Sequence, residues 1–304
     1  ILHSFDDLAF YWTRLIGYFM RIPYCCTKCG GQNPKYYYPY AKYLILFSYE
    51  NKVFFESQIK FKNSNIYLIP NRIGSFKDNI RGIKKINNII NDKHNNSFKF
   101  LRISRIGNYY KNSALQLIQL VKKLRNEGID CCIIFIGVIE ENIYINELKK
   151  EGQDFTYFFT ESEYIIDSKS LINSADAVMG SGRSLMEAAA KSKILLCPIK
   201  NSSIPLLINS SNFDEAFKFN FSERLSDPNY DEKVNYKEIK IMIKNKIIQN
   251  DLKIFSNNVY EEFFDSKKIA QKNNIMYVKM EHHKSISMID FVIHTLYLLR
   301  KIYK

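Results

Sequence analysis

Residues 98–200 alternate short apolar runs with longer amphipathic segments, and this alternation constrains the fold more than any other feature of the sequence. Apolar runs such as Cys131–Ile136 are typical of strands that are buried on both faces. The segment Ser113–Asn126 has its apolar residues on one helical face and its basic residues on the other. Strands separated by helices of this length predict right-handed crossovers and a parallel sheet. We therefore expect an α/β protein whose ligands bind beyond the carboxyl ends of the strands.

The chain has 304 residues, which is room for about two domains. Residues 1–75 are predicted to be the later part of a first α/β domain. Residues 76–97 are polar, basic and rich in asparagine, which predicts a linker or a solvated helix between domains. Residues 98–280 form the second domain in this interpretation, and residues 281–304 form a C-terminal helix.

Composition limits the partners and the compartment. Lys and Arg number 44 against 31 Asp and Glu, and the resulting net charge of +13 favours an anionic partner. The abundance of Lys, Asn and Ile is also typical of AT-rich coding, which accounts for part of this charge. The six cysteines show no disulfide framework, and no uncharged apolar stretch reaches ~20 residues, so a cytoplasmic location is expected. The Cys26-x-x-Cys29 pair has no second ligand pair nearby, and no metal site is expected there.

The stretch Ser174–Ala188 contains the strongest candidate site. The strand pattern Ala177–Met179 leads into Gly180-Ser181-Gly182 and then into a helix pattern. Glycines allow close approach to the backbone, and a helix start presents N–H groups, a combination that favours phosphate. Glu187 lies one turn into the helix, where a carboxylate can accept hydrogen bonds from ribose hydroxyls. The alternative is a tight turn with a capping pair, because Ser184 and Glu187 also fit the Ser-x-x-Glu spacing.

A second candidate stretch, Leu101–Asn112, follows the first strand of the second domain. Arg105 and Lys111 can both reach one pyrophosphate, the arginine as a planar fork and the lysine as a point charge. The alternative is a pair of solvated cations in a basic chain.

Together the two stretches resemble the GT-B glycosyltransferases, and glycosyltransferase family 4 most closely. The resemblance is best over residues 98–200. Members place an Arg and a Lys five or six residues apart after the first strand of the C-terminal domain, and Arg105 and Lys111 keep that spacing. Members also carry Ala-Asp, a strand, a glycine-rich turn and Glu-Ala, which Ala175-Asp176 and Glu187-Ala188 match.

The resemblance implies a GT-B-like fold of two Rossmann-like domains and transfer of a sugar from a nucleotide-diphosphate sugar. The acceptor it implies is a glycan or a lipid-linked glycan, as in surface polysaccharide biosynthesis. It implies a donor site made of Arg105, Lys111, Gly180, Gly182, Arg183, Ser184 and Glu187. The first two contact the diphosphate, the turn lies near the phosphates and the sugar, and the glutamate holds the ribose. Two cations then supply the neutralisation that a metal ion supplies elsewhere, so neither metal nor cofactor is expected.

The sequence departs from the family pattern in three places. Met179 stands where members carry a glutamate that contacts the transferred sugar, which leaves Arg183 and Ser184 as candidates for part of that task. Cys29 stands where members have the His of a His-Gly pair, so no active-site histidine is assigned. The strand and glycine-rich loop with which members begin are also missing. We therefore expect an incomplete N-terminal domain with an exposed sheet edge and exposed apolar surface.

Other functions are compatible with the sequence. A degenerate or truncated module of the same fold without transferase activity is favoured by Met179. An epimerase on this fold needs acid/base residues from both domains, and no convincing set is found. A nucleic-acid-binding protein is suggested by the charge and by 43 Phe plus Tyr, but only Tyr36–Tyr38 forms a dense aromatic cluster beside basic residues, so no nucleic-acid partner is expected. Basic residues near the C-terminal helix, among them Lys284, Arg300, Lys301 and Lys304, suggest peripheral attachment to an anionic membrane face.

Overall fold

The computed structural model describes residues 1–281 and 287–302, with the side chain of Ile302 left out. Residues 282–286, 303 and 304, which the sequence assigned to the C-terminal helix and its basic flank, lie outside the described residues. The strands are β1 Leu2–Phe5, β2 Tyr24–Lys28, β3 Tyr43–Leu46, β4 Asn65–Leu68, β5 Phe98–Ile103, β6 Cys131–Ile136, β7 Thr156–Phe159, β8 Ala177–Met179, β9 Ile194–Cys197 and β10 Leu206–Leu207. The helices are α1 Asp6–Phe19, α2 Tyr49–Ser57, α3 Ile80–His94, α4 Asn108–Asn126, α5 Asn142–Gly152, α6 Ser162–Ile165, α7 Arg183–Ala189, α8 Phe213–Lys218, α9 Glu232–Lys244, α10 Lys246–Val259, α11 Ser266–Val278 and α12 Met288–Ile302.

The chain forms two compact units whose boundaries differ from the predicted ones. Unit 1 comprises residues 1–71 and 266–304, and unit 2 comprises residues 72–265. The predicted linker 76–97 is mostly helix α3 and belongs to unit 2. Residues 266–280, which were predicted to belong to the second domain, belong to unit 1 together with α12.

Helix α3 agrees with the helix alternative for residues 76–97, but it has a buried face and belongs to unit 2. The side chain of Asn79 accepts a hydrogen bond from the Gly82 N–H at 2.9 Å and caps the first turn. Ile86 and Ile90, four residues apart, are fully buried in the core of unit 2. The other face of α3 carries asparagines and lysines, so an amphipathic helix has the overall composition of a linker.

Unit 2 contains a six-stranded sheet in the order β10-β9-β8-β5-β6-β7. Every pair in this sheet is parallel except β9–β10, which is antiparallel. One core packs the sheet against α4, α5 and α9, and a second core packs the other face against α3, α7 and α10. Both faces are thus covered, which accounts for the unbroken apolar runs in β6 and β9.

Unit 1 contains a four-stranded parallel sheet in the order β1-β2-β3-β4. One of its cores includes Phe10 of α1 and Phe55 of α2, and the other includes Ile269 and Met276 of α11. Helix α12 packs beside α1 through an ion pair of 3.0 Å between Arg14 Nη1 and an Asp290 carboxylate oxygen.

Five of the six cysteines are buried. All six cysteines are free, and Cys29 is the one that is exposed. Within the described residues, no helix has the length and apolar character needed to cross a membrane.

Candidate functional site

The candidate site lies where the chain reverses direction across the sheet of unit 2. Strands β6 and β7 lie on one side of β5, and β8, β9 and β10 lie on the other. Helix α4, which follows β5, and helix α7, which follows β8, pack on opposite faces of the sheet. The carboxyl ends of β5 and β8 therefore border a crevice of the kind in which open α/β sheets bind ligands. Both predicted stretches follow these two strands.

Arg105 lies in the loop between β5 and α4, which runs beside the loop after β6. Ile106 donates to the Val138 carbonyl at 2.8 Å, and Glu140 donates its backbone N–H to the Ile106 carbonyl at 2.9 Å. Gly137 permits this approach, because a Cβ there would lie 1.8 Å from the carbonyl oxygen of Ser104. The position of Arg105 is thus fixed by two loops that are hydrogen-bonded together.

Both predicted phosphate-binding cations are paired with carboxylates in this structure. Arg105, whose side chain is 59% exposed, contacts Glu140 at 2.7 Å and donates to the Tyr110 hydroxyl at 3.0 Å. Lys111, in the first turn of α4, contacts Glu147 of α5 at 2.8 Å. The two acidic partners were not predicted. Their only sequence signal is position, because Glu140 lies just before α5 and Glu147 lies within it, and α5 follows β6, the strand beside β5.

The turn after β8 requires its glycines. A Cβ on Gly180 would lie 2.7 Å from Ser184 Oγ and 2.8 Å from the backbone nitrogen of Leu185. Gly182 has φ of +52°, and its N–H donates to the Asn220 carbonyl at 3.0 Å. The Ser181 N–H donates to Ser184 Oγ at 3.2 Å, so both of these N–H groups have partners inside the chain. The turn is compact and internally bonded.

The structure separates Ser184 and Glu187, which the capping interpretation had paired. Helix α7 begins at Arg183 with Gly182 as its N-cap, and Ser184 lies inside the first turn. Glu187 accepts a hydrogen bond from Arg183 Nε at 2.8 Å instead. Its side chain is 10% exposed, whereas that of Arg183 is 57% exposed. The tight turn of the alternative interpretation is present but its capping pair is not, and Arg183 covers the carboxylate that was predicted to hold a ribose.

Arg102 is a charged residue near the site that the sequence analysis did not single out. It lies in β5 in register with Met179 of β8, and it is 2% exposed. It donates to Ser113 Oγ under the start of α4, while its Nε has no hydrogen-bond partner. Burial lowers the pKa of Arg102 to about 10, and the charge of Glu223 acts in the opposite direction. A lone arginine in an apolar strand was the available signal.

Two other residues of the family pattern have local explanations. The carboxylate of Asp176 accepts the Lys99 N–H at 2.9 Å and so joins β5 to the start of β8. Met179 is fully buried in the core beneath α4.

In unit 1, the ring nitrogens of His3 lie 2.6 Å from Thr27 Oγ1 and 2.6 Å from the Tyr277 hydroxyl. Among the described residues, no cluster of three or more His, Cys, Asp or Glu is arranged to hold a metal ion.

The fold matches solved structures of glycosyltransferases. A glycosyltransferase from Rickettsia africae ESF-5 is 18% identical with a TM-score of 0.61, over 90% of this chain and 75% of that one. The pneumococcal O-GlcNAc transferase GtfA, solved with UDP and GlcNAc, is 14% identical with a TM-score of 0.54, over 88% of this chain and 54% of that one. TarM is 11% identical with a TM-score of 0.53, over 84% of this chain and 50% of that one. This chain thus spans about half the length of the latter two.

No protein-family model matches the chain, and no curated protein sequence matches it either. The structural neighbours are GT-B glycosyltransferases, and the chain has their α/β fold of parallel-sheet units. That part of the sequence prediction is confirmed. At these identities the likeness establishes the fold, and membership of family 4 stays a prediction.

Proposed function

We propose that the chain is a glycosyltransferase that takes its sugar from a nucleotide-diphosphate sugar bound to unit 2. The observation that carries this proposal is the placement of Arg105 and Lys111 after β5, and of the Gly180–Ser184 turn after β8, at adjacent carboxyl ends of one parallel sheet. Such an edge is where sheets of this kind bind nucleotides. The acceptor in this proposal is a glycan or lipid-linked glycan, as in surface polysaccharide biosynthesis.

The cations would act on the diphosphate by exchanging partners. A pyrophosphate placed between Arg105 and Lys111 would replace the carboxylates of Glu140 and Glu147 as their counter-ion. The arginine offers a bidentate fork and the lysine a point charge. Glu187 would reach a ribose hydroxyl once the Arg183 side chain, which is exposed, turns away from it.

The same two cations would drive the chemical step. When the bond from the sugar to the diphosphate breaks, negative charge builds up on the departing nucleoside diphosphate. Fixed positive groups beside that charge stabilise the transition state more than the ground state. In this proposal, two protein cations perform the neutralisation that Mg²⁺ performs in other transferases, and no metal is required.

A thermal-shift panel with UDP, GDP, ADP and CMP tests the donor site. A nucleotide at ~100 times its dissociation constant should stabilise the fold by about 2.7 kcal/mol. We expect one nucleotide to shift the wild type and to shift neither Lys111→Ala nor Arg105→Ala. UDP is the first to try, since the similar transferase GtfA was solved with it. The matched control is Lys122→Ala, which removes another α4–α5 ion pair, of 2.6 Å with Glu151. If no nucleotide shifts the folded protein, the donor proposal is wrong and an inactive module of this fold is the better interpretation.

An anionic bilayer is a further partner in this proposal. Helix α1 exposes a face made of Leu8, Trp12, Ile16 and Phe19. Helix α12 exposes a second apolar face, made of Ile289, Val292, Ile293, Leu296 and Leu299. Cationic residues stand at the ends of these helices, with Arg21 after α1 and Arg300 in the last turn of α12. Apolar faces flanked by cations are typical of helices that lie in a membrane interface.

Flotation with vesicles tests the bilayer. Vesicles with anionic lipid should carry the wild type upward at low salt, and Trp12→Glu should lower the bound fraction severalfold. The matched control is Ile254→Glu, which changes an exposed isoleucine on α10 of unit 2. Equal flotation of the two variants, or none by the wild type, would remove the membrane from the proposal.

A further inference from the structure

A cleft of about 500 Å³ in unit 2 lies beside the candidate donor site and is not explained by it. Its walls are the first turns of α4, the segment after β9, and Glu223. Gln116 of α4 fixes the second wall, because its Nε2 donates to the carbonyls of Ile199 at 2.6 Å and Ser202 at 3.0 Å. Its amide oxygen also accepts the Ile199 N–H at 3.3 Å. Three hydrogen bonds to Gln116 thus hold the segment 199–202 against α4.

The lining offers hydrogen-bonding groups that the described part of the chain does not use. Five lining side chains form no hydrogen bond or ion pair with other described residues: Asn112, Gln119, Lys200, Asn201 and Glu223. Three of them are amides, which donate and accept at once. The single ammonium and single carboxylate balance each other, so the lining carries no net charge. It contains no aromatic ring on which a base can stack.

A neutral polyhydroxylated ring fits this lining best. Vicinal hydroxyls present paired donors and acceptors, which amides and a carboxylate satisfy together. A phosphate group would be attracted by Lys200 but repelled by the carboxylate of Glu223. The volume lies within the usual range of small-molecule pockets.

Two connections tie the cleft to the candidate donor site. Asn112 directly follows Lys111 in the first turns of α4. Glu223 lies three residues beyond Asn220, whose carbonyl accepts the Gly182 N–H. Beneath the cleft, Arg102 is buried and donates to Ser113, which also lines the cleft. The charge of Glu223 raises the pKa of this buried guanidinium, against the effect of burial.

We propose that this cleft is a carbohydrate subsite that holds a neutral hexose ring, with Glu223, Gln119 and Asn112 bonded to its hydroxyls. The inference rests on the proposed function, because it supplies the sugar-binding part of the same edge of unit 2. The hexose bound in the cleft is either the sugar of the donor or a terminal sugar of the acceptor, and the same lining residues can bind both.

The experiment measures binding by saturation-transfer difference NMR on the whole protein in two arms. One arm uses free glucose, galactose, N-acetylglucosamine and maltotriose. The other compares UDP with UDP-glucose and UDP-N-acetylglucosamine, and GDP with GDP-mannose. Glu223→Gln should weaken sugar binding about tenfold, because it removes a charge-assisted acceptor, and should leave binding of the bare nucleotide unchanged. Gln119→Leu is the second variant, and Glu238→Gln, on an exposed position of α9, is the control.

The outcomes separate this inference from the function on which it rests. An effect of Glu223→Gln only on nucleotide sugars assigns the subsite to the donor, and an effect on free glycans assigns it to the acceptor. Sugar binding that depends on Glu223 in a protein that binds no nucleotide keeps the subsite and removes the donor proposal. Nucleotide binding with sugar affinities unchanged in both cleft variants overturns the subsite, as does the absence of any sugar binding.

Discussion

Units 1 and 2 share the same β–α alternation but differ in how their helices are held. In unit 2, α4 buries Leu117, Ile118 and Val121 against a sheet that is covered on both faces. In unit 1, α1 buries Phe10 but leaves Trp12 61% exposed and Phe19 77% exposed. Helix α12 exposes a similar apolar row, and it meets α1 through the Arg14–Asp290 ion pair and a Tyr11–Phe291 ring stack. Apolar burial thus dominates the helix packing of unit 2, whereas a buried ion pair contributes to holding the outer helix of unit 1.

The carboxylate of Asp290 makes several of the contacts that hold α12 in unit 1. Asp290 contacts Arg14 at 3.0 Å, and it also contacts Lys60 and the Tyr37 hydroxyl and accepts the Tyr40 N–H. Burial alone would raise the pKa of Asp290, but its hydrogen bonds and the two cations outweigh burial and lower that pKa. Unit 1 should therefore be sensitive to charge and pH around Asp290.

The largest expected effect is that of Asp290→Ala. The change leaves the Arg14 guanidinium, 3% exposed, without its ion pair, and loss of one partner of a buried pair costs about 3–5 kcal/mol. Trp12, the only tryptophan, lies on α1, so its fluorescence reports the unfolding of unit 1. We expect the denaturant concentration at the midpoint of this fluorescence transition to fall sharply in Asp290→Ala. Glu281→Gln, which removes an exposed pair with Lys42, is the control. An unchanged tryptophan midpoint in Asp290→Ala would contradict the comparison.

The next effect is a pH dependence confined to unit 1. Burial, followed by the charge of Arg14, lowers the pKa of His294 to about 4, while the carboxylates of Asp290 and Asp7 oppose the shift. An unfolded histidine titrates near 6.5, so the unfolded state binds a proton first as pH falls. The free energy of unfolding is therefore unaffected by His294 above about pH 6.5. As pH falls toward 4, titration of this residue lowers it by up to about 1.4 kcal/mol per pH unit. The lowered pKa of Asp290 keeps its own contribution intact over this window.

The variant His294→Gln tests that assignment. It should flatten the decline of the Trp12 fluorescence midpoint between pH 6.5 and 4.5, because glutamine takes up no proton. An equal slope in wild type and variant would place the titrating group elsewhere.

A smaller effect concerns the candidate donor site of unit 2. Glu140→Gln removes the carboxylate that holds Arg105 and would leave the guanidinium ready for a diphosphate. Exposed ion pairs contribute up to about 1 kcal/mol, so nucleotide affinity should rise by up to about fivefold. Titration calorimetry measures it, with Glu163→Gln, which pairs with Lys85 at 2.6 Å, as the control. A fall in affinity would mean that Glu140 positions Arg105 and does not compete with the ligand.

The smallest expected effect tests the exposed face of α1. Phe19→Ser should change the free energy of unfolding by no more than about 0.5 kcal/mol, because the ring contributes little to the core. Leu117→Ala in unit 2, by contrast, should cost about 2–5 kcal/mol. Chemical denaturation compares the two. A loss above about 1 kcal/mol in Phe19→Ser would show that this face of α1 is packed in solution.

The sequence predicted the sheet of unit 2 because its buried strands are short apolar runs bounded by turns, as in Cys131–Ile136. For α3 it left a linker and a helix both open, because isoleucines four residues apart stood among asparagines. For α11 it assigned the wrong unit, because local periodicity contains no information on the packing of Ile269 against strands of unit 1.

The candidate site was only partly predictable for the same reason. Motif spacing placed Arg105, Lys111 and Gly182 after the right strands. Their carboxylate partners, and the hydrogen bond from Arg183 to Glu187, depend on how neighbouring loops meet. The arginine within the β5 strand pattern was the one local signal for Arg102, and it is a weak signal because a charged residue is seldom fully buried.

Hydrogen exchange measured with and without a bound nucleotide tests whether the donor binds at the carboxyl ends of β5 and β8. We expect slower exchange in two segments of unit 2, residues 104–112 and 180–187, with no comparable change in β1–β4 of unit 1. It also predicts that Lys111→Ala abolishes this protection while Lys122→Ala retains it. Protection confined to unit 1, or protection in unit 2 that survives Lys111→Ala, would contradict a donor site at the carboxyl ends of β5 and β8.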